Sequence, residues 1–150
     1  MEWRNEDRLT LSQYAQEFSP LYTASKAGVV AFMRCVAPTF YEDGIRTYAI
    51  CPGPVRTNLL SKSAWDAFPQ EFMTPVEAIV STVQTLIRGG KLQDAKGREV
   101  AESENYGLAV EILGNEIFIR DQMEFANDAV RQLCDGAKRQ NQQANMSGGH

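Results

Sequence analysis

The chain has 150 residues, 43% of them hydrophobic, and its 15 Lys and Arg against 19 Asp and Glu leave a net charge of −4. That length can bury an adequate core, and the acidic balance argues against a nucleic-acid surface. No apolar run reaches membrane-spanning length, and the charged opening residues (Glu2, Arg4, Glu6, Asp7, Arg8) match neither a signal nor a transit peptide, so a cytoplasmic protein is expected.

Residues 1–8 are too charged for a buried strand. Ser19-Pro20 is a helix start, a capping residue followed by proline at the first helical position. The helix carries Tyr22 and Lys26, four residues apart and so one turn apart on one face. An ammonium beside a phenol favours the phenolate and brings general acid–base chemistry closer to neutral pH. Alone, this spacing fits two ordinary surface residues equally well. Val29, Phe32, Met33, Val36 and Phe40 recur at helical spacing and predict the buried face. Pro38 is expected to bend or end the helix. Gly28 leaves room for close approach, by a packing neighbour or by a ligand.

Glu42-Asp43-Gly44 reads as a turn, and Ile45 to Ile50 as a short strand. The strand runs into Cys51-Pro52-Gly53-Pro54-Val55-Arg56-Thr57, a rigid loop with few backbone donors. Ligands of open α/β sheets bind at the carboxyl ends of strands, where this loop falls, although P-G-P is also a plain turn. Trp65 and Phe68 read as packing residues, with pocket lining as the alternative. Thr74-Pro75-Val76-Glu77 is a capping box. It opens a helix with an apolar stripe at Val76, Ile79, Val80, Val83, Leu86 and Ile87, closed by Gly89-Gly90. Arg98 to Ala101 and Gly107 to Leu113 are the remaining strand signals. Phe125, Ala126, Ala129, Val130 and Leu133 suggest a last helix ending near Gly136. The three cysteines, Cys35, Cys51 and Cys134, are widely spaced and read as reduced thiols, with no metal site. The single histidine, His150, is terminal, which argues against a Ser-His or Cys-His hydrolase.

Pro20-Leu21-Tyr22-Thr23-Ala24-Ser25-Lys26-Ala27-Gly28-Val29, then Ile45-Arg46, then Cys51 to Thr57, together resemble the short-chain dehydrogenase/reductase family. Resemblance spans roughly residues 18 to 130 and is closest to the branch related to 15-hydroxyprostaglandin dehydrogenase, of a type common in fungi. It implies an α/β fold, the C-terminal part of a Rossmann-type doubly wound parallel sheet. It also implies NAD or NADP as cofactor and a secondary alcohol or ketone as substrate. Tyr22 matches the catalytic tyrosine that exchanges a proton with the substrate oxygen. Lys26 matches the lysine that assists it and hydrogen-bonds the nicotinamide ribose. Pro52, Gly53 and Val55 match the loop against the nicotinamide, with Val55 meeting the carboxamide through its backbone. Thr57 matches a hydroxyl that contacts the carboxamide or pyrophosphate. The family's last strand should lie in Arg98 to Ala101 or in Gly107 to Leu113, and Gly97-Arg98-Glu99-Val100 resembles its start. The segment from Lys62 to Pro69 resembles the family's substrate-binding loop.

The family's T-G-x-x-x-G-x-G turn, which receives the pyrophosphate, is not among these 150 residues. The catalytic serine is also missing from its usual place: Leu9 and Thr10 stand at that spacing, and Ser12 falls short of it. A truncated domain is therefore expected, with residues 1–17 as an atypical segment, 18–135 as a partial domain and 136–150 as a disordered tail. The Tyr22 helix then needs a cover, from a second copy or a partner chain. Three functions follow: an NAD(P)-dependent oxidoreductase, a pseudoenzyme or interaction subunit without redox activity, or a non-redox isomerase or cyclase using Tyr22 as proton donor. Secondary metabolism is the expected setting.

Overall fold

The computed structural model describes residues 19–138, so the readings at Leu9, Thr10, Ser12 and the far tail lie outside it. Helix α1 runs Pro20–Glu42 with Ser19 at the N-cap and proline at its start. The Ser19 hydroxyl makes no cap bond, and its carbonyl accepts the Thr23 amide at 2.9 Å. Pro38 lies inside the helix and does not end it. One more turn follows, held by Tyr41, whose ring stacks on Tyr106 at 4.0 Å and 5°.

The expected buried face of α1 is rotated. Val30, Met33 and Ala37 are buried, while Val29 and Phe32 are exposed. The helix carries two apolar stripes, and periodicity alone does not choose between them. Ala37 decides it: a Cβ built on Gly107 would lie 2.9 Å from the Ala37 Cβ, so helix and chain meet where both side chains are minimal.

Gly44 takes φ 76°, and the Ile45 amide returns to the Phe40 carbonyl at 2.8 Å. The chain therefore stays in the helix exit through Ile45, and strand β1 is Tyr48–Pro52 rather than starting at Ile45. Helix α2 (Lys62–Asp66) and helix α3 (Val76–Arg88) follow, then the short antiparallel strands β2 (Leu92–Gln93) and β3 (Glu99–Val100). Strand β4 (Leu108–Leu113) returns parallel to β1, with Tyr48 opposite Leu108 and Pro52 opposite Ile112. Strand β5 (Glu116–Arg120) folds back antiparallel on β4, giving the order β1-β4-β5.

The sheet is covered on both faces. Ala49, Cys51 and Ala109 cluster with the buried residues of α1. Val110 and Ile119, with Tyr48 and Ile50, cluster with Leu86 of α3, Leu92 and Val100. Alternate residues of β1 thus face opposite helices, the pattern of a strand buried on both sides. The result is a mixed α/β architecture with a small parallel sheet.

The strand read over Gly107 to Leu113 is present as β4, and the expectation at Gly97 changes. The strand parallel to β1 is Leu108–Leu113, and Gly97 to Val100 is instead the return of a tight hairpin with Gly97 at φ 80°. Its Asp94 carboxylate accepts the amides of Lys96, Arg98 and Ile119, so the hairpin closes on its own turn and on β5. The stripe on α3 is also rotated. Ala78, Thr82 and Leu86 are buried, whereas Val76, Val80 and Ile87 are exposed. Helix α4 (Asp128–Gly136) begins at Asn127, whose side chain accepts the Val130 amide at 3.0 Å, and buries none of its residues.

Candidate active site

A short turn joins α1 to β1, so the helix runs back along the sheet and its N-terminal half stands at the carboxyl end of β1. Val30 is the first buried residue of α1 and belongs to the cluster that holds Cys51. At 1.5 Å per residue, Lys26 lies about 6 Å and Tyr22 about 12 Å further along the axis. Both therefore project beyond the strand end, the side on which open α/β sheets place their ligands. Lys26 Nζ sits over the Tyr22 ring, 5.2 Å from its centroid, and Tyr22 is 44% exposed. The two side chains meet, as their spacing allows, with the ammonium over the ring. The Ser25 hydroxyl donates to the Tyr22 carbonyl at 2.7 Å and so stays within the helix.

The Pro52–Thr57 loop leaves β1 at the same end. The Gly53 amide donates to the Ile112 carbonyl at 2.7 Å, and the Pro54 carbonyl accepts the Thr74 amide at 2.7 Å. A side chain on Gly53 would meet Leu113 Cδ1 and Thr74 Oγ1, both at 3.0 Å, so glycine lets this turn seat against β4. Val55 borders a cleft of about 320 Å³ with Arg56, Gln70, Met73 and Thr74. Its peptide N–H and C=O make no hydrogen bond among the described residues. The Thr57 hydroxyl oxygen accepts the Leu59 amide at 3.2 Å, which leaves its hydrogen to donate.

The segment after the loop is fastened to it. Trp65 is buried, its indole N–H donates to the Thr57 carbonyl at 2.7 Å, and its ring meets Phe68 at 5.5 Å. That is the packing role. Arg56 donates from both terminal nitrogens to Asp66 Oδ1 at 3.1 Å, and from Nη2 to Gln70 at 3.2 Å. Arg56 and Thr74 are structural ties that no local pattern reveals: in sequence Arg56 belongs to the loop motif and Thr74 to a helix cap, and their partners lie in other segments. Cys51 is buried in the cluster between the sheet and α1. Among the described residues no three His, Cys, Asp or Glu side chains are grouped to hold a metal ion, and no helix is long and apolar enough to cross a membrane.

A family model described as enoyl-(acyl carrier protein) reductase matches residues 9–84. The short-chain dehydrogenase/reductase prx7 of Penicillium rubens is 42% identical over 134 residues, which cover 86% of this chain and 48% of prx7. The short-chain dehydrogenase/reductase cdmF of Talaromyces verruculosus is 41% identical over 59 residues, 37% of this chain and 23% of cdmF. A glucose and ribitol dehydrogenase homolog of Oryza sativa subsp. japonica is 38% identical over 55 residues, 37% of this chain and 18% of its own. The chain belongs to the short-chain dehydrogenase/reductase family. It spans about half the length of prx7 and less of the other two relatives.

Proposed function

We propose that the chain works as an NAD(P)-dependent oxidoreductase on a secondary alcohol or ketone, on a Rossmann-type frame, in the cytoplasm and in secondary metabolism. Within the family we read it as nearest the 15-hydroxyprostaglandin dehydrogenase-like branch. What supports this reading is the Tyr22–Lys26 contact near the start of the helix that precedes β1, together with the Pro52–Thr57 loop that follows β1. A bound nicotinamide would supply or accept the hydride. Tyr22 Oη then gives its proton to the carbonyl oxygen in reduction, or takes one from the hydroxyl in oxidation. Lys26 Nζ would offset the charge of the phenolate that Tyr22 becomes on giving up its proton, and would hold the ribose of the bound dinucleotide. Val55 has an open peptide donor and acceptor beside a cleft, which fits a primary carboxamide. The Thr57 hydroxyl has a hydrogen left to give the same group or a phosphate oxygen.

Turnover with a panel of secondary alcohols and ketones tests the proton role. Tyr22→Phe should abolish it while leaving cofactor affinity within about tenfold, because one hydroxyl hydrogen bond is worth about 0.5–1.5 kcal/mol. Unchanged turnover in Tyr22→Phe would remove Tyr22 from the chemistry. A second reading, an interaction subunit without redox activity, draws on the exposed apolar residues Leu21, Val29 and Phe32 of α1. Under it the wild-type chain turns over no substrate.

A further inference from the structure

We infer that Thr74 is the positioning residue of the cofactor loop, a reading that rests on the dinucleotide role proposed for Pro52 to Thr57. The T-P-V-E pattern predicts a hydroxyl that caps α3. The structure uses it otherwise. The helix starts at Val76 with Pro75 at the N-cap and no side-chain cap bond. Thr74 is 3% exposed, and its hydroxyl donates to the Ile112 carbonyl at 3.2 Å. Its amide donates to the Pro54 carbonyl at 2.7 Å. The helix forgoes a stabilising cap, and the hydroxyl goes to the carboxyl end of β4 instead.

The same Ile112 carbonyl receives the Gly53 amide at 2.7 Å. One acceptor therefore joins the loop and Thr74, using both of its lone pairs. Pro52 and Pro54 carry no N–H, so the turn owes its fixation to these few donors. The Gly53 backbone sits directly on Thr74, since a built Cβ would lie 3.0 Å from the Thr74 Oγ1. A shift of Thr74 passes to Gly53 and Pro54, and Pro54 is bonded to Val55. Thr74 thereby sets where the Val55 peptide faces the cleft that both residues border. It acts through the loop and need not touch the ligand itself.

Thr74→Val keeps the shape of the side chain and removes the donor, and Thr74→Ser restores the donor. Amide hydrogen exchange on the purified chain reads the loop without any ligand. We expect exchange at Gly53 to quicken about tenfold in Thr74→Val, the effect of one buried hydrogen bond, with the last two turns of α3 unchanged and Thr74→Ser near wild type. Titration with NADH and NADPH then reads the consequence. Thr74→Val should weaken binding about tenfold and raise the KM for cofactor with kcat little changed, and Thr74→Ser should recover both. Wild-type exchange at Gly53 in Thr74→Val overturns the inference. So does faster exchange throughout the chain in both variants, or a loosened loop that binds cofactor as tightly as before. If the wild type binds neither dinucleotide, the oxidoreductase reading falls, and the exchange result still decides whether Thr74 fixes the loop.

Discussion

Asp94 is 8% exposed, yet it keeps a charge because its two oxygens receive three backbone amides. Burial pushes its pKa up, and the amides of Ile119, Arg98 and Lys96, with the Arg98 charge, outweigh that and hold the carboxyl below its ordinary value. The sign follows from linkage. The folded pKa is lower than the unfolded one, so the contribution is complete above about pH 4 and is lost as pH falls through the folded value. We expect Asp94→Ala to cost about 2 kcal/mol at pH 7 by urea denaturation, because three amides lose their acceptor. The gap between variant and wild type should narrow below pH 4; a gap independent of pH would show that the carboxylate's charge is not what stabilises the turn. Glycine offers a second comparison at this scale. Gly107 has φ 65° and the Ala37 Cβ at 2.9 Å, whereas Gly90 has φ 87° and open space around it. Gly90→Ala carries the left-handed backbone cost alone, about 1–2 kcal/mol. Gly107→Ala adds a steric clash and should be the more destabilising of the two, and equal losses would mean that α1 moves away without cost.

At the level of elements, α1, α3 and α4 were legible from periodicity and their end signals. What stayed hidden was which face α1 and α3 bury. Val29 and Phe32 form as good a stripe as Val30, Met33 and Ala37, and only the close approach of Gly107 to Ala37 selects the second. The Thr74 cap misled because a capping pattern does not reveal a competing acceptor across the sheet, here the Ile112 carbonyl. Strand β5 was not anticipated, although its signal is present. Leu113 pairs with Glu116 across the two residues Gly114 and Asn115, with Gly114 at φ 57°, and a two-residue glycine turn between apolar runs marks a hairpin. The site was more legible than the packing. Tyr22, Lys26 and the Pro52–Thr57 loop are local motifs, whereas Arg56 to Asp66 and Thr74 to Ile112 join segments that the sequence does not place side by side. Arg56→Ala removes one tie between α2 and the loop and leaves the Trp65–Thr57 bond, so we expect faster tryptic or chymotryptic cleavage between residues 58 and 72 with little change in overall stability, since exposed ion pairs contribute about 0–1 kcal/mol.

Over the whole molecule, the small parallel sheet has a helix on each face, and β1 forms one of its edges. The stripe of α1 that the sheet does not use remains outside, with Phe32 68% exposed. An apolar surface of this kind is a candidate interface for a second copy or a partner chain. We expect the purified chain to exceed its monomer mass in sedimentation, and Phe32→Asp to lower that mass. A wild-type monomer with a compact sedimentation coefficient would contradict this expectation. The most direct test of the proposed function is calorimetric titration of NADH and of NADPH into the wild-type chain. Saturable binding of at least one dinucleotide, retained in Tyr22→Phe, is the predicted result. No heat of binding up to millimolar concentrations of either would contradict the oxidoreductase reading and leave the Tyr22–Lys26 pair as a mark of ancestry.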